Sequence, residues 1–395
     1  MDMNLPEPCG LIESLARVDA RLVLVSTGGG SAAIPHLLTT PGASRVVLEA
    51  VVPYAREAVV GLLGGPQESF CSARTARRLA MVAWQRARCL GASAEQAVGA
   101  AVTASLKTSA PKRGPHRIVV AVQTLAETSV ATLELHKDAR SRRDEERLAA
   151  AMLLERILET IIAGRNGSGP PAGTVRSEES AGLLETERVD LERCAAPPPW
   201  RQLLSGETDA VSAAGGAGRP AAGRLVFPGS FDPLHDGHRS MARVAEEIAE
   251  QPVEHELSIT NVDKPTLDYV EMRDRAGQFA GGTLWLTRAA TFVEKLGIFP
   301  DGTFVMGADT YLRLADPRYY GGSAEAAARA VREIAGRVRG LIVFGRVRDG
   351  VFQDPAQLDV PQPLRDVSFF VSQREFRVDT SSTELRQRAA ERTVD

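Results

Sequence analysis

The chain has little of what would mark a secreted, membrane-spanning or nucleic-acid-binding protein. Its 395 residues include only four cysteines, Cys9, Cys71, Cys89 and Cys194, scattered and without CxxC spacing. That argues against a disulfide frame or a zinc site and fits reduced thiols in a cytosolic protein. There is no basic surplus: the formal charge is −3, whereas non-specific duplex binding needs a concentrated basic face, so no nucleic-acid partner is expected. No apolar run approaches the length of a membrane span. The opening stretch from Met1 to Leu11 carries Asp2, Glu7 and two prolines in place of a basic and then apolar leader, so the expectation is a cytoplasmic protein without a membrane partner. No internal repeat is visible. What remains is ordinary: 44% apolar and 25% charged residues, enough to bury a core in each of two domains.

Histidine is also scarce, with six in the chain, yet two lie three apart in Phe227-Pro228-Gly229-Ser230-Phe231-Asp232-Pro233-Leu234-His235-Asp236-Gly237-His238. Arg224 to Phe227 reads as a short buried strand, and Met241, Val244, Ala245 and Ile248 recur on one face of a following helix. The order is strand, tight loop, helix. Gly229 and Gly237 let such a loop turn and approach a ligand, and the free amides of the helix start are a ready anion site. Two imidazoles at its mouth can donate hydrogen bonds to a polyphosphate.

This run resembles the signature of the HxGH nucleotidyltransferase superfamily, whose members join a nucleotide to a phosphate-bearing substrate and release pyrophosphate. Thr303-Phe304-Val305-Met306 reads as a strand running into Gly307-Ala308-Asp309, similar to the nicotinate/nicotinamide mononucleotide adenylyltransferases of that superfamily. Asp379-Thr380-Ser381-Ser382-Thr383-Glu384-Leu385-Arg386 resembles the second superfamily signature, and Ser381 with Glu384 forms a capping box. The resemblance implies that His235 and His238 hold α- and β-phosphate oxygens of ATP, with Arg386 as a third catalytic residue. Gly229, Ser230, Phe231, Gly237, Gly307, Asp309, Ser381, Ser382 and Thr383 are the implied nucleotide-binding residues, and Asp232 and Lys264 the implied substrate contacts. Magnesium is expected on the phosphates with no protein metal site. The tryptophan that stacks a pyridine ring in the family is missing near Tyr319 and Tyr320, either of which is a candidate substitute.

In the first part of the chain, Arg21 to Val25 and Val46 to Val52 read as strands, and Arg140 to Ile162 as a long helix. Ser26-Thr27-Gly28-Gly29, Pro41-Gly42-Ala43-Ser44, Val51-Val52-Pro53-Tyr54 and Leu133-Glu134-Leu135 are together similar to the C-terminal domain of the competence/damage-inducible proteins, which includes nicotinamide-nucleotide amidohydrolases. The family's nucleophilic serine falls at Val25, its glutamate at Leu24 and its lysine at Val59. Valine can neither attack a carbonyl nor accept a proton, so hydrolytic chemistry is expected to be lost. A shifted alternative takes Ser26 as nucleophile with Lys107 or Lys112 as base. The Gly28 to Gly30 loop reads either as a plain turn or as a retained phosphate pocket.

The sequence therefore predicts an α/β protein of two domains. Residues 10–163 form an α/β layered domain expected to dimerise or sense a ligand, 164–222 a flexible linker with a short acidic helix between Ser180 and Cys194, and 223–395 a doubly wound parallel-sheet domain. The expected activity is transfer of AMP from ATP to nicotinamide or nicotinate mononucleotide. Alternatives are cytidylyl or adenylyl transfer to another phosphorylated small molecule, or a non-catalytic nucleotide sensor.

Overall fold

A computed structural model describes residues 8–110, 112–165, 173–177, 183–214, 218–279, 281–348 and 351–376. It divides into two compact units, residues 1–201 with 263–272, and residues 202–262 with 273–395.

The first unit follows the order α1 (Pro8–Arg17), β1 (Arg21–Ser26), α2 (Ala33–Leu38), β2 (Val47–Val51), α3 (Arg56–Leu62), α4 (Ala73–Cys89), β3 (Ala97–Ser105), β4 (His116–Gln123), β5 (Glu127–Leu135), α5 (Arg142–Arg165), β6 (Gly173–Ser177) and β7 (Val189–Ala195). Its sheet runs β2-β1-β3-β4-β5-β7-β6, parallel at β2-β1-β3 and antiparallel beyond. The core strands β3 and β4 are Val/Ala runs buried on both faces, one covered by α5 and the other by α4. Gly99 is what lets α4 lie so close, because a Cβ there would stand 2.1 Å from the Ala80 carbonyl oxygen.

The second unit begins in α6 (Pro198–Ser205) and continues with β8 (Ala210–Ser212), β9 (Leu225–Pro228), α7 (Asp236–Ala249), β10 (Val253–Ser258), α8 (Tyr269–Ala276), β11 (Leu284–Thr287), α9 (Phe292–Ile298), β12 (Thr303–Gly307), α10 (Ala308–Arg313), α11 (Ala324–Arg337), β13 (Gly340–Phe344), a β14–β15 ribbon (Arg346–Arg348 and Val351–Gln353), α12 (Gln362–Asp366) and β16 (Ser368–Val371). Its sheet order is β16-β13-β12-β9-β10-β11-β8, parallel throughout except for the edge strand β8. Strands β10 and β11 lie on one side of β9 and β12 on the other. The crevice between β9 and β12 is thus the switch point of a doubly wound sheet, where ligands of such folds bind. No helix among the described residues is long and apolar enough to cross a membrane.

Two expectations need correction. The stretch 164–222 is not simply a linker: β6 and β7 extend the first sheet, and β8 edges the second. The acidic helix expected between Ser180 and Cys194 is replaced over its second half by β7. Pairing to β5 and β11 supplies backbone hydrogen bonds that composition does not reveal. Residues 166–172 and 215–217, in the two breaker-rich runs, lie outside the described residues.

The second correction concerns residues 263–272, which cluster with the first unit although they follow β10 in the chain. Asp268 is buried, takes Arg77 Nε on both carboxylate oxygens at 3.1 Å, and caps the start of α8 through the amides of Val270 and Glu271. Burial pushes its carboxyl up against the pull of Arg77. Glu271 pairs with Arg74 at 2.9 Å, Gln85 donates to Thr266 at 2.8 Å, and the Tyr269 hydroxyl donates to the Leu125 carbonyl at 2.8 Å.

Candidate active site

The loop between β9 and α7 sits at the switch point of the second sheet. Phe231 is wholly buried with φ of 44°, and its ring packs edge-on against Phe227 at 5.6 Å and Phe279 at 5.0 Å. The same ring explains Gly229, because a Cβ there would meet it at 2.6 Å. Gly229 and Phe231 therefore shape the loop, and the Phe231 side chain is not a nucleotide contact as the sequence suggested. Ser230 is exposed and Gly237 is buried in the first turn of α7.

Side chains near the end of α8 hold this loop from below. Arg275 donates to the Ser230 carbonyl at 3.1 Å and lies 3.6 Å from the Asp232 carboxylate. Gln278 donates to the Phe231 carbonyl at 3.0 Å and accepts from the Leu234 amide at 2.7 Å. Asp232 is thus a brace for the loop as well as a candidate substrate contact. Gln278 was not legible in the sequence, where nothing ties a glutamine after a helix to a loop more than forty residues earlier.

His235 is the N-cap of α7, and the rings of His235 and His238 stack at 3.8 Å. The His235 amide donates to Nδ1 of His238 at 3.3 Å. A neutral His238 must then carry its proton on Nε2, leaving that N–H as a donor toward a ligand. Burial lowers the His238 pKa to about 4, helped by His235 and then by His255. Burial also lowers His235. At neutral pH His238 therefore acts as a polar donor and carries no fixed positive charge.

His255, on β10, is the residue that sequence reading missed. Its ring lies 5.6 Å from Phe231 and 4.8 Å from Phe279, and burial lowers its pKa to about 4. Among the described residues its buried Nδ1 has no hydrogen-bond partner. The signal was a histidine between Glu254 and Glu256 in a short strand next to β9.

On the other side of the switch point, β12 delivers Gly307 and Asp309. A Cβ on Gly307 would meet nothing within 4 Å, so space is open above it. The Asp309 carboxylate is paired with Arg346, which follows β13 directly. Tyr320 donates to the Leu314 carbonyl at 2.9 Å, and Tyr319 lies under the Arg318 guanidinium. Lys264 lies on the segment that clusters with the first unit. Arg386, Ser381, Ser382 and Thr383 lie outside the described residues.

Residues 226–388 match the cytidylyltransferase-like family model. This region is a cytidylyltransferase-like nucleotidyltransferase domain. The first unit is similar to solved competence-damaged superfamily proteins. One from Escherichia coli is 18% identical over 39% of this chain and 87% of its own, with a TM-score of 0.33. One from Agrobacterium tumefaciens is 18% identical over 40% of this chain and 99% of its own, at 0.32. One from Enterobacter cloacae is 16% identical over 41% and 96%, at 0.34. No curated protein sequence matches.

The counterpart loop in the first unit is differently made. Leu24, Val25 and Val59, the positions onto which the sequence resemblance put a glutamate, a nucleophile and a base, are all buried core. Ser26 is buried and donates to the Gly29 carbonyl at 3.2 Å. Lys112 donates to Ser105 at 3.1 Å, and Lys107 pairs with Asp138 at 3.1 Å, so the described contacts bring neither lysine to Ser26. The loop amides are already filled: Glu146 of α5 accepts from Gly30 N at 2.9 Å, Ala32 N at 3.2 Å and Ser31 Oγ at 3.2 Å. The phosphate-pocket alternative for Gly28 to Gly30 fails because the protein's own carboxylate occupies the place of the anion.

Proposed function

We propose that the second unit transfers AMP from ATP to nicotinamide or nicotinate mononucleotide and releases pyrophosphate. The observation that carries this reading is the tautomer of His238, whose Nε2–H is left as a donor at the switch point by the His235 amide on Nδ1. The acceptor phosphate attacks the α-phosphorus in line, an oxygen–phosphorus bond forms, and the bond to the pyrophosphate oxygen breaks. Negative charge builds on the leaving oxygens, and neutral N–H donors fixed beforehand lower that barrier without reorganising. His235 and His238 serve there, with the free amides at the start of α7. The open space above Gly307 suits close approach of the adenosine, and exchange of Asp309 from Arg346 to a ribose hydroxyl would anchor it.

Among the described residues no cluster of three or more His, Cys, Asp or Glu could hold a metal. Magnesium would enter with the triphosphate substrate and neutralise its oxygens, keeping most of its waters. A second reading, cytidylyl or adenylyl transfer to another phosphorylated small molecule, is favoured by Tyr319 and Tyr320. One lies under Arg318 and the other has its hydroxyl tied down, which leaves no free ring in place of the missing tryptophan. Pyrophosphate release should be measured with ATP and CTP against nicotinamide mononucleotide, nicotinate mononucleotide, phosphopantetheine and glycerol phosphate. Turnover with ATP and a pyridine mononucleotide alone is expected. Turnover only with another pair selects the second reading, and none with any pair would overturn both.

A further inference from the structure

At the carboxyl end of β11, on the sheet edge closed by β8, a cavity of about 450 Å³ is lined by Arg219, Arg288, Thr208, Asp209 and Glu294 among others. Its size is that of a site for a small organic ligand. Its walls are fixed by the backbone. The Arg288 amide donates to the Asp209 carbonyl at 2.9 Å, and the Arg288 guanidinium packs on Gly206, where a Cβ would stand 1.9 Å from Nη1. Glu294 is committed elsewhere, since its carboxylate accepts the Thr291 amide at 2.7 Å and caps α9. Among the described residues neither the Arg219 nor the Arg288 guanidinium has a hydrogen bond or ion pair. Two unpaired guanidinium forks in one concavity focus positive potential, and each matches two oxygens of a phosphate. The exposed Asp209 carboxylate adds an acceptor that a bare anion would avoid and a hydroxyl would use.

We propose that this cavity binds a small phosphate monoester bearing hydroxyl groups, with the phosphate between Arg219 and Arg288 and a hydroxyl donating to Asp209. None of these residues belongs to the loop after β9, so the site stands or falls separately from the pyridine-nucleotide reading.

Ribose 5-phosphate, titrated calorimetrically into the full chain without triphosphate, tests it. Saturable binding is expected, weakened roughly tenfold or more by Arg219→Ala and by Arg288→Ala and unchanged by His238→Ala. Should Arg288→Ala fail to fold, the exposed Arg219→Ala decides alone. No saturable binding, or unchanged affinity in the arginine variants, would overturn the proposal, as would loss confined to His238→Ala. Inorganic phosphate should bind more weakly than the sugar phosphate, and equal affinity would remove the role given to Asp209.

Discussion

The molecule carries two loops of one construction, each leaving a parallel strand beside a switch in strand order and entering a helix through glycine-bearing backbone. After β1, the amides of Gly30 and Ala32 are satisfied by the carboxylate of Glu146, and the neighbouring Ser26 is sealed in the core. After β9, the amides of Gly229, Leu234 and His235 are taken by the Glu256 carbonyl, Gln278 and His238 Nδ1, none of them a carboxylate, and the stacked His238 ring is left with its Nε2–H to give. A strand, a glycine turn and a helix start make an anion site only while the protein leaves the amides vacant. The first loop has become a structural joint, and the second spends its loop amides on orienting His238, whose Nε2–H is left for a ligand.

Swapping the two loops' fates is the sharpest way to break this contrast. His238→Ala should lower pyrophosphate release about 10²- to 10³-fold, the range for removing one fixed donor to a developing oxyanion, while the circular dichroism spectrum is unchanged. Activity within a few-fold of the parent would remove the second loop from the chemistry.

The next effect is on stability against pH. His238 and His255 titrate near 4 in the folded protein against 6.5 for an ordinary histidine. Between those values the unfolded chain binds more protons, so stability is complete above pH 6.5 and drains away as the pH falls toward 4. Each group accounts for on the order of 3 kcal/mol at most. Urea midpoints measured from pH 7.5 to 4 should fall with acid, and His255→Leu should flatten the curve. A midpoint independent of pH would contradict the burial of these rings.

Glu146→Ala should cost about 1–3 kcal/mol by leaving loop amides unpaired. The vacated loop should then gain thermal stability from added phosphate, a gain absent in the parent and read by differential scanning fluorimetry. Pyrophosphate release should be unaffected. The smallest effect is expected from Gln278→Ala, which frees the Phe231 carbonyl and the Leu234 amide. We expect roughly a fivefold loss of kcat, since about 1 kcal/mol of positioning is removed. An equal loss of thermal stability with unchanged kcat would make Gln278 a packing residue only.

Much of this contrast was legible in the sequence, and the rest was hidden for identifiable reasons. Strand, loop and helix around His235 and His238 were plain because apolar spacing changes period there, and the expected loss of nucleophile and base at Val25 and Val59 followed from residue type. Glu146 could not be read as the plug, because a glutamate in an Arg-rich helix looks like ordinary surface charge until α5 folds across the sheet. The strands β6, β7 and β8 were hidden by neighbouring glycine and proline, which say nothing of the partner strands that order them. The packing of Asp268 against Arg77 was equally invisible, since it joins residues far apart in the chain.

Nitrogen NMR of the histidine rings at pH 7 tests the assignment of the second loop with the fewest assumptions. His238 should be neutral with its proton on Nε2, and that nitrogen should shift when ATP with magnesium is added while the rings of the first unit do not. A proton on Nδ1, or a His238 signal indifferent to the triphosphate, would contradict it.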